Sequence, residues 1–337
     1  MKKSKTLFLI PLCISLLSGC SINITRYTPN QNSSQKPNNK IEDFFKDPLN
    51  TYTDNITSIT LQTLYQTCKL STVTIEIYAK NTNNSLSLYS SGSGFIAKES
   101  ENYLYIYTNA HVISVNNSSS IQSVETEVIL SDYSRYKATI ISSDKSEDVA
   151  ILRIDKPSTK NYLVASIGNS KDLKQGEAVF AIGSPLGLEY ASTITEGIVS
   201  GINIRNETDN DKNGETTTMY LIQTDTALNP GNSGGALVDK AGNLVGINTA
   251  IYSQTGSYAG YSFAVPVNIV KKIAYDLMDF GSVKRAVLGI SMKPLDDKIS
   301  EELKLSSRNG VYIVEVSKSG AADVAGIKPG DVLVAID

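Results

Sequence analysis

The stretch from Gln223 to Leu237 reads QTDTALNPGNSGGAL, and it carries the most information about this chain. Ser233 lies within it among glycines, which allow a tight turn that presents a hydroxyl with little steric shielding. Gly231 lets the backbone turn so that amide N–H groups converge beside the serine oxygen, as a tetrahedral oxyanion requires. Taken alone, the stretch favours a glycine-rich hairpin turn.

Two further residues offer partners for a reactive serine. His111 follows an apolar run and is the only histidine of the chain, so any imidazole that activates Ser233 must be this one. Asp148 directly precedes the apolar run Val149–Leu152, where a buried carboxylate could orient an imidazole. Each has an ordinary alternative, since a lone histidine is more often a surface or core residue and a strand-start aspartate usually faces water.

The pattern of apolar and turn-forming residues predicts many short strands from residue 59 onward. Short runs rich in β-branched and aromatic residues alternate with Gly, Asn, Asp and Ser clusters, a pattern typical of an all-β barrel or sandwich. Two helical patterns frame these runs, SITLQTLYQTC at 58–68 and VNIVKKIAYDLMDF at 267–280, and Gly281 ends the second. The polar residues 206–217 predict an exposed loop.

The chain order of His111, Asp148 and Ser233 is that of the catalytic residues in chymotrypsin. Each residue alone is weak evidence for a catalytic site, but the three in this order are strong evidence together. Further motifs accompany it: Gly92–Ile96 (GSGFI), Thr108–His111 (TNAH), Asp148–Leu152 (DVAIL), Gly183–Gly187 (GSPLG), Gln223–Leu237 and Phe263–Pro266 (FAVP). With these motifs, the chain resembles the HtrA (Deg) serine proteases of the bacterial envelope over about residues 60–337.

The resemblance implies an all-β fold, in which a chymotrypsin-like double β-barrel protease domain occupies 59–281. A partial PDZ domain, truncated at its C-terminal end, is expected to follow over 284–337. Arg285–Ile290 resembles the start of such a domain, and Gly320–Ala322 with Ala325–Asp331 resembles its middle. The resemblance also implies a homotrimer that cleaves unfolded or misfolded proteins.

The expected chemistry is that of a serine endopeptidase. Ser233 attacks the scissile carbonyl, His111 takes and returns the proton, and Asp148 fixes the imidazole tautomer. The backbone N–H groups of Gly231 and Ser233 form the expected oxyanion hole, together with Asn232.

Three residues are predicted to line the primary specificity pocket by resemblance, namely Leu228, Ile251 and Tyr261. None of them is a carboxylate, so cleavage after Lys or Arg would lack a counter-ion, and small aliphatic side chains are favoured. We also expect the strand Leu244–Thr249 to pair with an extended substrate by strand addition.

The N-terminus predicts export from the cytoplasm. Three lysines within the first five residues precede the apolar run Leu7–Leu17, which is too short to span a bilayer and is typical of a signal peptide. The following Leu17–Cys20 (LSGC) resembles a bacterial lipobox, which predicts a signal peptide over 1–19, lipidation of Cys20 and attachment to the bacterial cell membrane. Ordinary secretion with a cleavage site near Cys20 is the alternative.

A flexible tether is predicted over 20–58. It contains TPNQNSSQKPNNK, which has too little apolar surface to order itself. Such a tether would hold a folded domain just off the membrane surface.

Composition excludes several classes of function. The chain of 337 residues carries 31 Lys and Arg against 34 Asp and Glu, so no basic face for nucleic acid is expected. Three cysteines and one histidine do not make a typical zinc site, and no metal or cofactor is predicted. Two alternatives to a general protease stay open, a non-catalytic chaperone or scaffold and a regulatory protease with a single substrate.

Overall fold

The computed structural model describes residues 60–115, 121–185, 187–210, 215–251, 260–303 and 310–335. The predicted signal peptide (1–19), the tether through residue 58 and the candidate lipidation site Cys20 lie outside the described residues. The chain divides into two compact units, with a boundary between Val283 and Lys284. None of the helices within these ranges combines the length and the apolar character of a membrane-spanning segment.

The first barrel is a curled antiparallel sheet. Its seven strands are β1 (Thr72–Asn81), β2 (Leu86–Glu99), β3 (Tyr103–Thr108), β4 (Ile121–Ile129), β5 (Arg135–Lys137), β6 (Thr139–Asp144) and β7 (Val149–Asp155). Their order in the sheet is β5-β4-β1-β2-β3-β7-β6. β5 and β6 are opposite edges, yet only Ala138 separates them along the chain. One residue spans only about 3.5 Å, so the sheet must curl until its edges meet. Ile75, Ile96 and Leu152 fill its interior.

The second barrel is closed. Its six strands are β8 (Ala178–Gly183), β9 (Thr193–Asn210), β10 (Glu215–Thr224), β11 (Ala236–Asp239), β12 (Leu244–Ile251) and β13 (Ser262–Pro266). They follow the order β10-β13-β12-β11-β8-β9 around the barrel. Val179, Leu237 and Ala264 are among the side chains buried inside it.

Two helices flank the barrels. α1 (Leu61–Ser71) begins after Thr60, whose hydroxyl accepts a hydrogen bond from the Thr63 N–H group and so caps the helix. α2 (Val267–Phe280) ends at Gly281, which adopts the left-handed conformation with φ 70°. The bounds predicted for α2 are therefore confirmed, and its stop signal acts as expected.

A third hydrophobic cluster joins the two barrels. Phe95 and Tyr107 of the first barrel and Phe180 and Val265 of the second belong to it. Buried residues of α1 and α2 complete the cluster. This shared core fixes the two barrels against each other, so loops at their junction have a defined geometry.

The second unit, described here by itself, holds a small antiparallel sheet. Its elements are β14 (Ile290–Pro294), α3 (Asp297–Glu302), β15 (Val311–Val316), α4 (Ala321–Val324) and β16 (Val332–Leu333). β15 lies between β14 and β16 in the sheet. Ile313 and Ala322 are buried.

The all-β expectation is confirmed, but the loop predicted at 206–217 is wrong over its described residues. β9 and β10 form a hairpin there, with a register from Asn210↔Glu215 to Asn206↔Met219. Polar side chains do not prevent such a ladder because its hydrogen bonds come from the backbone.

Candidate active site

His111 and Asp148 meet because β3 and β7 are antiparallel neighbours. Thr108, the last residue of β3, pairs with Ala150 at the start of β7. His111 follows the end of β3, and Asp148 directly precedes β7, so both lie at the same edge of the sheet. His111 Nδ1 lies 2.8 Å from Asp148 Oδ2, and the His111 backbone N–H donates to Asp148 Oδ1 at 2.9 Å. The carboxylate thereby orients the ring and leaves Nε2 available as a base.

Two residues that the sequence did not single out hold Asp148 in place. Asp148 has φ 53°, a left-handed conformation that is uncommon outside glycine and that aspartate tolerates better than most residues. Asn109 Nδ2 donates to the Asp148 carbonyl oxygen at 2.8 Å, and the Thr249 hydroxyl donates to Asp148 Oδ2 at 2.5 Å. Asn109 stands in the quoted TNAH motif, but its role depends on the conformation of Asp148. No local signal marks Thr249, which is 101 residues away.

The two partners differ in exposure. The Asp148 side chain is 15% exposed, whereas the His111 side chain is 50% exposed. A shielded carboxylate beneath an accessible imidazole suits an aspartate that orients and a histidine that exchanges protons.

The turn around Ser233 has the predicted tight geometry. Gly231 and Gly234 have φ 100° and 84°, in the left-handed region that favours glycine. A Cβ on Gly234 would lie 2.1 Å from the Ser93 carbonyl oxygen, so no larger residue fits there. The Asn232 N–H donates to the Asn229 carbonyl at 3.0 Å and closes the turn.

Two backbone donors beside Ser233 are available. Within the described residues, the N–H groups of Gly231 and Ser233 donate no hydrogen bond, as expected of groups kept for an oxyanion. Asn232 is only 4% exposed, and its side chain packs towards Gly183, where an added Cβ would lie 2.8 Å from Asn232 Oδ1. The structure therefore places the Asn232 side chain inside the protein.

The serine is close to the histidine segment without being bonded to it. The Ser233 hydroxyl donates to the Thr249 carbonyl oxygen at 3.2 Å, and among the described residues no hydrogen bond joins Ser233 to His111. Gly92 separates the two segments, because its added Cβ would lie 2.6 Å from Val112 and 3.2 Å from the Ser233 carbonyl oxygen. The Asp–His half is assembled, whereas the Ser233 hydroxyl is bonded to the Thr249 carbonyl oxygen. Catalytic hydrogen bonds are often long or misaligned before substrate binds.

The predicted pocket residues occupy different environments. Leu228 is 3% exposed and packs within the core of the second barrel. Tyr261 lies directly before β13 and is 51% exposed. Ile251 ends β12 and pairs with Ser262, while its side chain lies outside the described set. Their assignment to a specificity pocket stays a prediction.

The expectation that Leu244–Thr249 accepts a substrate strand is wrong for most of that range. β12 pairs with β11 on one side and β13 on the other, and Asn248 is bonded to Gly235 and Gly234. Beyond Asn248, the described residues Thr249–Ile251 pair with no strand on the β11 side, where the Thr249 carbonyl oxygen accepts only from the Ser233 hydroxyl among the described residues. The available edge is therefore Thr249–Ile251.

Metal ligands do not cluster here: among the described residues, no group of three His, Cys, Asp or Glu side chains could hold a metal ion.

Comparisons with known proteins identify related domains. A family profile described as "Trypsin-like peptidase domain" matches residues 92–247, and one described as "PDZ domain" matches 277–337. A solved structure titled "HtrA-type protease AlgW with tripeptide" is 33% identical, with a TM-score of 0.62, and the match covers 81% of this chain and 82% of that one.

The chain belongs to the HtrA family of serine proteases. Among curated HtrA relatives, "Serine protease Do-like HtrA" of Lactobacillus helveticus is 40% identical over 76% of this chain and 60% of its own length. "Probable periplasmic serine endoprotease DegP-like" of Hahella chejuensis is 39% identical over 73% of this chain and 48% of its own length. The chain thus spans about half to three fifths of these HtrA relatives. Its peptidase match contains His111, Asp148 and Ser233.

Proposed function

We propose that this HtrA-family chain is a serine endopeptidase. The Ser233 Oγ attacks the scissile carbonyl carbon while His111 Nε2 takes its proton. The carbonyl oxygen becomes an oxyanion that accepts hydrogen bonds from the Gly231 and Ser233 N–H groups. His111 then gives the proton to the leaving amine, and water hydrolyses the acyl-enzyme by the same route.

The main support for this proposal is the pair of contacts between Asp148 and His111. Both carboxylate oxygens bond to the histidine, one to Nδ1 and one to the backbone N–H. A histidine held in this way serves proton transfer better than packing, since its ring remains half exposed. A serine endopeptidase also needs donors that stabilise the negative charge of the oxyanion. The N–H groups of Gly231 and Ser233, which donate no hydrogen bond among the described residues, meet this need.

Unfolded or misfolded polypeptides are the proposed substrates. The backbone edge at Thr249–Ile251 suits an extended chain, which a folded protein rarely exposes. The proposed pocket of Leu228, Ile251 and Tyr261 favours Val or Ala before the cut. Sequencing the products of a denatured protein tests this preference, and dominant cleavage after Lys, Arg or Asp would contradict the pocket assignment.

We also propose an extracytoplasmic location with a lipid anchor at Cys20. The export signal and the lipobox support it, and the Hahella chejuensis relative is named periplasmic. Cys20→Ala should shift the protein from membranes to soluble fractions or block its processing. An unmodified N-terminus beyond Cys20 in a mass spectrum would contradict the anchor.

Family membership supports a homotrimer as the proposed assembly. Light scattering coupled to size-exclusion chromatography measures the mass directly, and a monomer at working concentration would contradict it.

The deciding experiment compares casein cleavage by three proteins. The wild type should cleave, Ser233→Ala should be inactive while folded, and Ser123→Ala should match the wild type because Ser123 is an exposed residue of β4. Full activity of Ser233→Ala would refute the triad. A wild type that protects unfolded chains without cutting them would support the chaperone alternative. Cleavage of one protein in a mixture would support the regulatory protease.

A further inference from the structure

Ser93 of β2 is a buried residue whose hydroxyl reaches the nucleophile turn. It is fully buried, and its Oγ donates to the Gly231 carbonyl oxygen at 2.7 Å. The same Oγ accepts from the Ser184 N–H at 2.8 Å. A hydroxyl has one proton to donate, and the carbonyl can only accept, so the Ser93 proton is committed to Gly231.

The backbone of Ser93 contacts the turn as well. Its N–H donates to the Ser233 carbonyl oxygen at 2.8 Å, and its own carbonyl accepts from the Thr108 hydroxyl at 2.7 Å. Side chain and backbone of one residue therefore hold the carbonyl groups of both Gly231 and Ser233.

Of these two carbonyls, that of Gly231 influences where the oxyanion donors point. The Gly231 carbonyl belongs to the peptide unit between the Gly231 N–H and the Ser233 N–H. Gly231 has φ 100°, and a glycine has little intrinsic barrier against turning its neighbouring peptides over. An anchor on its carbonyl is thus needed to keep the two donors convergent.

We propose that Ser93 is a positioning residue for the oxyanion hole, acting through its hydroxyl on the Gly231 carbonyl. The inference rests on the proposed function, since it presumes that the Gly231 and Ser233 N–H groups stabilise an oxyanion. Ser93 itself touches no reacting atom. Its loss should weaken transition-state stabilisation while leaving substrate binding unchanged.

The chain offers a matched control in Thr74. Its Oγ1 lies 2.6 Å from Ser184 Oγ, so it belongs to the same buried set of hydroxyls. Thr74 is 2% exposed and makes no hydrogen bond to the Gly231 turn in the described structure. Thr74→Val therefore removes a comparable buried hydroxyl without releasing the turn.

The experiment uses the full chain with two readouts. The first is kcat and KM on a chromogenic peptide, and the second is the rate of Ser233 phosphorylation by diisopropyl fluorophosphate, followed by intact mass. Ser233→Ala serves as the unlabelled blank. Loss of one oxyanion donor costs about 100- to 1,000-fold in kcat. Because Ser93→Ala only frees a donor to move, we expect a smaller fall of about 10- to 100-fold in both rates. KM should stay within about twofold, as for an interaction made only in the transition state.

Several outcomes decide the matter. Ser93→Ala at the wild-type rate would overturn the proposal, and so would an equal fall in Thr74→Val, which would indicate general loosening. If Ser93→Ala does not fold, Ser93→Cys takes its place, because a thiol donates weakly and should give the same fall. A wild type that neither cleaves peptide nor is labelled at Ser233 would instead refute the proposed function.

Discussion

At the scale of single residues, the contacts of Asp148 leave little room for substitution by another residue type. Its carboxylate accepts from the His111 backbone N–H and the Thr249 hydroxyl while it contacts His111 Nδ1. An amide has one acceptor oxygen, so Asp148→Asn must place an NH₂ group against one of these donors or against Nδ1. We expect kcat to fall about 10⁴-fold, as for the equivalent change in the chymotrypsin triad.

Asp155→Asn is the matched control, since Asp155 is an exposed aspartate at the other end of β7. It should retain wild-type kcat in the same peptide assay. An Asp148→Asn variant with a tenth or more of the wild-type rate would contradict the role assigned to the carboxylate.

Cys68 illustrates a residue whose chemistry is suppressed by its surroundings. Burial raises the pKa of its thiol to about 12, and the nearby Asp239 charge adds to this effect. The thiolate is the reactive form, so iodoacetamide at pH 8 should modify native Cys68 very slowly and denatured Cys68 readily. Mass spectrometry of a Cys13→Ser, Cys20→Ser protein measures this, because Cys68 is then the only thiol. Rapid labelling under native conditions would show that α1 opens frequently.

At the scale of elements, the turn between β10 and β11 demands glycine for two separable reasons. Gly234 has a left-handed φ of 84°, and an added Cβ would also lie 2.1 Å from the Ser93 carbonyl oxygen and 2.2 Å from Thr108 Oγ1. Gly176 has nearly the same φ, 86°, with no atom within 4 Å of an added Cβ. The pair separates backbone strain from steric overlap.

Alanine substitutions measure the two contributions. Gly176→Ala should lower the free energy of unfolding by about 1–2 kcal/mol, the cost of the left-handed conformation alone. Gly234→Ala should lose a further ~1–3 kcal/mol from overpacking and most of its activity. Urea unfolding of both variants provides the comparison, and equal losses would mean that the turn relaxes without cost.

At the scale of the whole molecule, three hydrophobic clusters stabilise the two barrels and the helices α1 and α2. Among the described residues, the hydrophobic clusters of the barrels and their junction draw on residues 64–283 and on none beyond. We expect a chain ending at Val283 to fold and to cleave a short peptide at the wild-type rate. Thermal unfolding and the peptide assay measure both properties.

A shorter chain ending at Pro266 provides the control. It lacks α2, whose Val270, Ile273 and Leu277 are buried in the cluster between the barrels. This chain should not fold cooperatively. A folded chain ending at Pro266, or an unfolded one ending at Val283, would contradict this account of the cores.

Local patterns in the sequence were sufficient to predict many of the secondary-structure elements of this protein. Alternating apolar runs and turn residues predicted the strands, and α2 with its glycine stop was predicted to the residue, because periodicity and capping act over a few neighbours. The glycines around Ser233 predicted the turn for the same reason. The hairpin at 206–217 was missed because its polar side chains carry no strand signal, although its backbone can pair.

Tertiary structure alone decided how the site is held. His111 meets Asp148 because β3 lies beside β7, and Thr249 reaches Asp148 across 101 residues of chain. The hydrogen bond from the Ser93 hydroxyl to the Gly231 carbonyl oxygen joins residues that are 138 positions apart in the sequence. Such contacts depend on how the curled first sheet and the closed second barrel pack through a shared core. A hydrogen bond has direction and a reach of about 3 Å, so its partner follows from the fold and not from local composition.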